Sequence, residues 1–322
     1  MKLSKPFVRL PFAFDTEQLA KELKQFQNQD WMSHPNRMEG NSAIALVSLN
    51  GEDNDEFSGR MMPTPHLQRC EYIQQIMANM GEVFARSRLM RLAGGSQVSP
   101  HVDFNYHWYN RVRIHIPIIT NPDVIFYCGD EKMHMQAGQC WIFDSWREHK
   151  VVNSNPHDRT HLVLDTAGSS RFWAMVRKAQ NKDYGSVMLD PLAYMPGLAP
   201  AIKTERFNVS PVMSPGELEA LTQDLIDDFS SHANNDPNIV AEYQNLLVAL
   251  AKDWREIWTQ YGYRSTGIPH YQALLQQTRN RMHQNPRTLV TASNNIGVNP
   301  IIVQRILRAA LFTDQRADFL AD

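Results

Sequence analysis

Between residues 84 and 178 the chain is cut into short runs of β-branched and aromatic residues, each closed by a turn-forming cluster: AGGS, TNPD, CGDEK, AGQ, NSNPHD and TAGSS. Runs this short, bounded by Gly, Pro, Asn and Asp, form antiparallel strands rather than helices. Many of them in succession bury their apolar faces only by packing as a sandwich or closing as a barrel. Upstream, Asp15 reads as the N-cap of a helix over 16–28, AIALVSL (43–49) as a strand, and the polar run GEDNDEFSGR as a loop suited to a lid. The apolar spacing of 66–81 predicts a helix that stops at Gly81. Downstream, a linker carrying Pro196, Pro200 and Pro211 leads to amphipathic segments that open with Ser214-Pro-Gly-Glu217, a capping-box pattern. Two domains are expected: 1–205, mainly β with N-terminal helices, and 206–322, helical, with apolar faces that suit a cap or a homodimer contact.

Composition narrows the function classes. The net charge is -2, and no basic stripe of the kind nucleic-acid binding requires is present. No apolar run reaches the length of a membrane span, and the amino-terminal stretch lacks the apolar core of a signal peptide. Cys70, Cys128 and Cys140 are sparse, odd in number and without CxxC spacing, which fits a reduced cytoplasm and excludes a cysteine zinc site. Partners are therefore expected to be small molecules or peptides, not nucleic acid or membrane. Histidine is more telling: seven of the twelve fall between His101 and His161.

Within that stretch, Arg111-Val-Arg-Ile-His-Ile-Pro-Ile118 alternates like a strand, with Val112, Ile114, Ile116 and Ile118 on one face and Arg111, Arg113 and His115 on the other. His101-x-Asp103 places an imidazole and a carboxylate together on a strand face, two of the three ligands of a 2-His-1-carboxylate triad, which holds Fe(II) and leaves positions open. His149, after the turn at Gly138 and the run QCWIFDSW, is the expected third ligand from a neighbouring strand. Arg159 and His161 share a face of DRTHLVLD. A guanidinium inside a barrel is costly unless it meets a carboxylate, so Arg159 is the expected anchor for the remote carboxylate of a keto acid chelated to the iron.

His101-x-Asp103, His149, Arg159 and the RVRIHIPI strand together resemble the double-stranded β-helix (jelly-roll, cupin-like) Fe(II)/2-oxoglutarate dioxygenases. RVRIHIPI and FDSWREHKVVN are similar to the aspartyl/asparaginyl β-hydroxylase branch, which includes bacterial proline hydroxylases, over roughly residues 85–170. The resemblance implies Fe(II) on His101, Asp103 and His149, with 2-oxoglutarate held by Arg159 and His115 and O2 as the oxidant. It also implies a hydroxylase whose substrate, a free amino acid such as proline or an Asp/Asn-type residue of a peptide, faces Arg113, Arg111 and the ring of Trp108. Asp103 is a departure from the animal aspartyl hydroxylases, which lack that carboxylate, and its presence weighs against a halogenase. Phe104, Tyr106 and Trp146 are further candidates for pocket walls, and Arg91 for a substrate contact. His107, His134 and His157 read as surface residues, and the methionines, Met38 among them, as packing. Desaturation, a lipid or secondary-metabolite acid as substrate, and a non-catalytic jelly-roll binding module remain open alternatives.

Overall fold

The computed structural model describes residues 2–33, 40–182 and 187–312, so Met38 lies outside the described residues. In chain order the strands are β1 (Phe7–Ala13), β2 (Met32–Ser33), β3 (Asn41–Leu49), β4 (Met61–Pro63), β5 (Val83–Leu92), β6 (Gln97–His101) and β7 (Val112–Ile119). They continue with β8 (Val124–Cys128), β9 (Glu131–Met133), β10 (Gln139–Phe143), β11 (His149–Asn153), β12 (Arg159–Thr166) and β13 (Lys203–Thr204). The helices are α1 (Thr16–Leu23), α2 (Pro65–Gln68), α3 (Glu71–Met80), α4 (Tyr106–Asn110) and α5 (Ser170–Asn181), then α6 (Pro215–Ser230), α7 (Pro237–Tyr261), α8 (Ile268–Arg281), α9 (Val298–Ile301) and α10 (Arg308–Ala310).

The large sheet runs β1-β10-β7-β12-β5-β3-β2 and the small one β6-β11-β8-β9. From β5 to β12 the chain steps repeatedly between the two sheets, so that β5, β12, β7 and β10 face β6, β11, β8 and β9. That interleaving is the double-stranded β-helix. Strand alternation sorts the side chains. Ile114, Ile116, Cys140, Ile142, Leu162 and Leu164 point outward into a core shared with α1, α3 and α5. The opposite face of the large sheet joins Phe126, Cys128 and Val151 of the small one in a second core with Leu92, Trp141 and Phe143.

The N-terminal helices cover the outer face. Asp15 caps α1 through Glu17 and Gln18, as its position in the sequence implies. The single helix expected over 66–81 is instead two. Glu22 supplies the reason: its buried carboxylate accepts the amides of Tyr72 and Ile73, capping α3 and ending α2 before it. Gly81 does stop α3, in a left-handed conformation at φ 71°.

The described chain separates into two compact units. The β unit holds the residues up to Asp103 together with Asn110–Asn208; the helical unit holds Phe104–Tyr109 and the chain from Val209. By its own contacts the chain divides at 208/209, and the six residues directly after Asp103 pack with the helical module. There Arg305, almost wholly buried in a π-helical turn (Ile302–Leu307), donates to the carbonyl of Phe104, and Tyr106 donates to Glu217. Glu217 is therefore tied to a tyrosine, while Ser214 caps α6. No helix among the described residues is long and apolar enough to cross a membrane.

Candidate metal centre and co-substrate site

His149 and His101 are direct partners in the antiparallel β6–β11 pair, although 48 positions separate them in sequence, and their rings lie 4.2 Å apart. His101 ends its strand, so Asp103 lies beyond β6 rather than on its face, contrary to the strand reading. Its amide is held by the carbonyl of Ser145, in the loop leading to β11. The outcome is the same convergence by another route: ligand atoms of His101, Asp103 and His149 all lie within 4.8 Å of one another. The Asp103 oxygens stand 4.0 Å from His101 Nε2 and 3.8 Å from His149 Nε2.

The imidazoles are oriented for a cation. His101 Nδ1 is 2.8 Å from the carbonyl of Ser99, and His149 Nδ1 is 2.9 Å from that of Arg147. A carbonyl only accepts, so each Nδ1 carries the proton and each Nε2 keeps its lone pair toward Asp103. Burial pushes the His149 pKa down to about 4, which keeps the ring neutral and able to ligate at neutral pH. The turn before His149 is tied by Asp144, which accepts from the Trp146 amide and from Arg147. Thiolates take no part: burial drives all three cysteines upward, Cys128 to about 12. Two imidazoles and one carboxylate, without sulfur, form a donor set suited to ferrous iron.

From the metal cluster a line of rings runs along the inner face. Phe143 packs 4.8 Å from His149 and 5.4 Å from His115, and Phe126 stacks on His161 at 5.4 Å. Arg159 lies over Phe126 at 5.0 Å and donates to His161 Nδ1 at 2.9 Å, which places the His161 proton on Nε2. Arg159 is 5% exposed, and among the described residues no carboxylate pairs with it. Desolvation alone lowers its pKa to about 9. Its Nε, His115 Nε2 and His161 Nε2 are all buried without a hydrogen-bond partner. A lone buried guanidinium costs several kcal/mol, so this group of atoms fits an anion such as a carboxylate. Arg159 thus stands where a co-substrate carboxylate would satisfy it, with His115 beside it, its Nδ1 3.4 Å from His161 Nδ1.

Several expected substrate contacts are placed otherwise. Arg111 precedes β7, and its guanidinium makes a bidentate pair with Glu205, both groups largely buried. It is an internal ion pair, not a substrate-facing cation. Trp108 is buried edge-on against His107 in the segment that packs with the helical unit, so it offers no open platform, and His107 is buried rather than superficial. Arg91 points to the outer face, over Trp31 at 4.3 Å. Arg113 does occupy the inner face, paired with Asp165 at 2.9 Å. Unforeseen were Arg86 and Arg88 of β5, two strands from His115; an Arg-x-Arg alternation was the available signal, and it reads equally as a solvated face.

A jelly-roll with an inward 2-His-1-carboxylate cluster and a buried, unopposed arginine defines the Fe(II)/2-oxoglutarate type of oxygenase. Residues 14–168 match the family model described as aspartyl/asparaginyl beta-hydroxylase. Similar solved structures include a 2OG-Fe(II) oxygenase family oxidoreductase from Burkholderia pseudomallei, with 16% identity over 51% of this chain and 85% of that one, at a TM-score of 0.37. A Pseudomonas putida prolyl-4-hydroxylase shows 12% identity over 52% and 95% of the two chains, at 0.36. A prolyl hydroxylase from Trichoplax adhaerens shows 12% over 51% and 84%, at 0.38. The stretch 14–168, inside the β unit, is thus similar to the aspartyl/asparaginyl β-hydroxylase family, and this match supports a hydroxylase of the dioxygenase type.

Proposed function

We propose that the protein hydroxylates an unactivated C–H bond of a carboxylate-bearing substrate, a free amino acid such as proline or an Asp/Asn-type residue of a peptide, at the expense of 2-oxoglutarate and O2. The observation that carries this reading is Arg159, a buried guanidinium with an unsatisfied Nε at the end of a ring line that starts at the metal ligands. His101, Asp103 and His149 hold the iron; when bound, iron and 2-oxoglutarate supply the oxidising chemistry. The chain's own work is binding and orientation. Arg159 would take the distal carboxylate of the co-substrate, with its unpartnered Nε among the donors, and His115 and His161 lie beside it. The neutral state of these imidazoles, enforced by burial, avoids adding charge to the site. Phe126, Phe143 and Trp141 keep water from the reacting centre.

Succinate release is the test. With Fe(II), 2-oxoglutarate and O2, release is expected to rise on adding free amino acids or Asp- and Asn-containing peptides. It should be abolished in His101→Ala. No 2-oxoglutarate-dependent succinate under any of these conditions would remove the proposal and favour a binding module.

A further inference from the structure

The inner face of β5 carries a second group of buried cations. Arg86, Arg88, Met90 and Leu92 alternate along the strand, and the cross-strand register places them precisely enough to read in rows. Leu92 is opposite Arg159, Met90 opposite His161, and Arg88 opposite Val163, which is in turn opposite His115. One step further, Asp165 pairs with Arg113. Arg159 therefore sits at one end of the barrel wall and Arg113 at the other, while Arg88 shares the row of His115 and Arg86 lies one inward position further along β5.

Arg86 and Arg88 are each 3% exposed; burial lowers the pKa of both, and the neighbouring Arg86 lowers that of Arg88 further. A single carboxylate meets both: Oδ1 of Asp55, from the polar loop between β3 and β4. Both side-chain ion pairs fall on that one oxygen, Arg86 donates further only to the Asp55 carbonyl, and Arg86 Nε is buried with no acceptor. Phe57 of the same loop lies against the Arg86 guanidinium at 3.8 Å, and Asn208 anchors the loop through Gly59 and Phe57. Among the described residues the two buried guanidiniums share one side-chain ion-pair partner, Asp55, a costly arrangement that a second carboxylate at the same place would relieve.

We infer that Arg86 and Arg88 anchor a carboxylate of the substrate, and that Asp55 is the internal group with which that carboxylate competes. The inference rests on the proposed function and specifies it: the substrate's acid group lies against β5, from the row of His115 toward that of Arg113 and away from Arg159. The loop carrying Asp55, 26% exposed on its side chain, is then both latch and competitor. An acid frees it from the two arginines; the matching amide cannot.

Binding of propionate and of propionamide to the full chain, loaded anaerobically with Fe(II) and 2-oxoglutarate in carboxylate-free buffer, tests the idea by calorimetry. Wild type is expected to bind propionate and not propionamide. Asp55→Asn removes the competitor and is expected to bind propionate about 3–10 times more tightly. Arg88→Met is expected to weaken propionate about 10–100-fold. With a turned-over substrate, the Arg88→Met defect should fall on the KM of the acid rather than on that of 2-oxoglutarate. Asp55→Asn also leaves two buried cations unopposed, so it should melt lower than wild type and be restored by propionate. Equal binding of acid and amide, no tightening in Asp55→Asn, or restoration by the amide as well would overturn the assignment. Failure of the functional reading shows separately, as wild-type protein that does not bind 2-oxoglutarate in the first place.

Discussion

A guanidinium sealed inside a barrel with no acid opposite it works against folding, and Arg159 is such a group. Replacing it with methionine removes the unpaired charge while keeping most of the packing on Phe126. Arg159→Met is expected to leave the ligand-free protein at least as stable as wild type in a thermal melt, while weakening 2-oxoglutarate about 100-fold through loss of charge-assisted bonds worth roughly 3 kcal/mol. A variant that melts markedly lower and still binds 2-oxoglutarate would show Arg159 to be structural. The imidazoles make a second test. His149 is lowered to about 4, and His115 and His161 well below 6.5, chiefly by burial. Their stabilising contribution is complete above the unfolded pKa of about 6.5 and is lost as pH falls below it, because the unfolded chain then binds protons the native one refuses. Each fully protonated imidazole adds about 1.4 kcal/mol per pH unit to that loss. Urea midpoints of metal-free protein at pH 7.5, 6 and 5 should fall steadily; a flat profile would contradict buried neutral rings.

At the scale of elements, the turn into β10 is the most tightly specified. Gly138 has φ 75°, and a Cβ there would meet the Phe14 carbonyl at 2.5 Å; Gly95 has a similar φ of 73° but open space around it. Gly138→Ala should therefore cost more than Gly95→Ala in denaturant unfolding, the first adding a clash to the backbone strain of about 1 kcal/mol or more that both share. Equal losses would mean the strand entry relaxes freely. The strands themselves were legible from local pattern: the alternation of β7 and β12 put the right residues outward and inward, since period two is a property of the strand alone. What local pattern could not show were partners distant in sequence. Arg111 shares its strand's charge alternation, yet Glu205, 94 residues on, takes it. Glu22 splits a helix whose spacing is continuous. Arg86 and Arg88 carry no local sign of burial; the loop bearing Asp55, some thirty residues away, is what meets them.

For the whole molecule, assembly of the metal site depends on pairing β6 with β11, strands from opposite ends of the β-rich stretch. The ligand types and the arginine were readable in advance through family resemblance, whereas the seam joining them is a product of topology. Ligands bound only by the folded barrel must stabilise it: 2-oxoglutarate at about 100 times its Kd should add about 2.7 kcal/mol, visible as a raised melting temperature with Fe(II) present. The most direct measurement is an anaerobic titration of the protein with Fe(II) and 2-oxoglutarate, followed by visible absorption. A weak metal-to-ligand charge-transfer band is expected in wild type, absent in His101→Ala and His149→Ala, and reached only at far higher 2-oxoglutarate in Arg159→Met. No band in wild type, or one that persists without His101, would contradict an iron centre built from these three side chains.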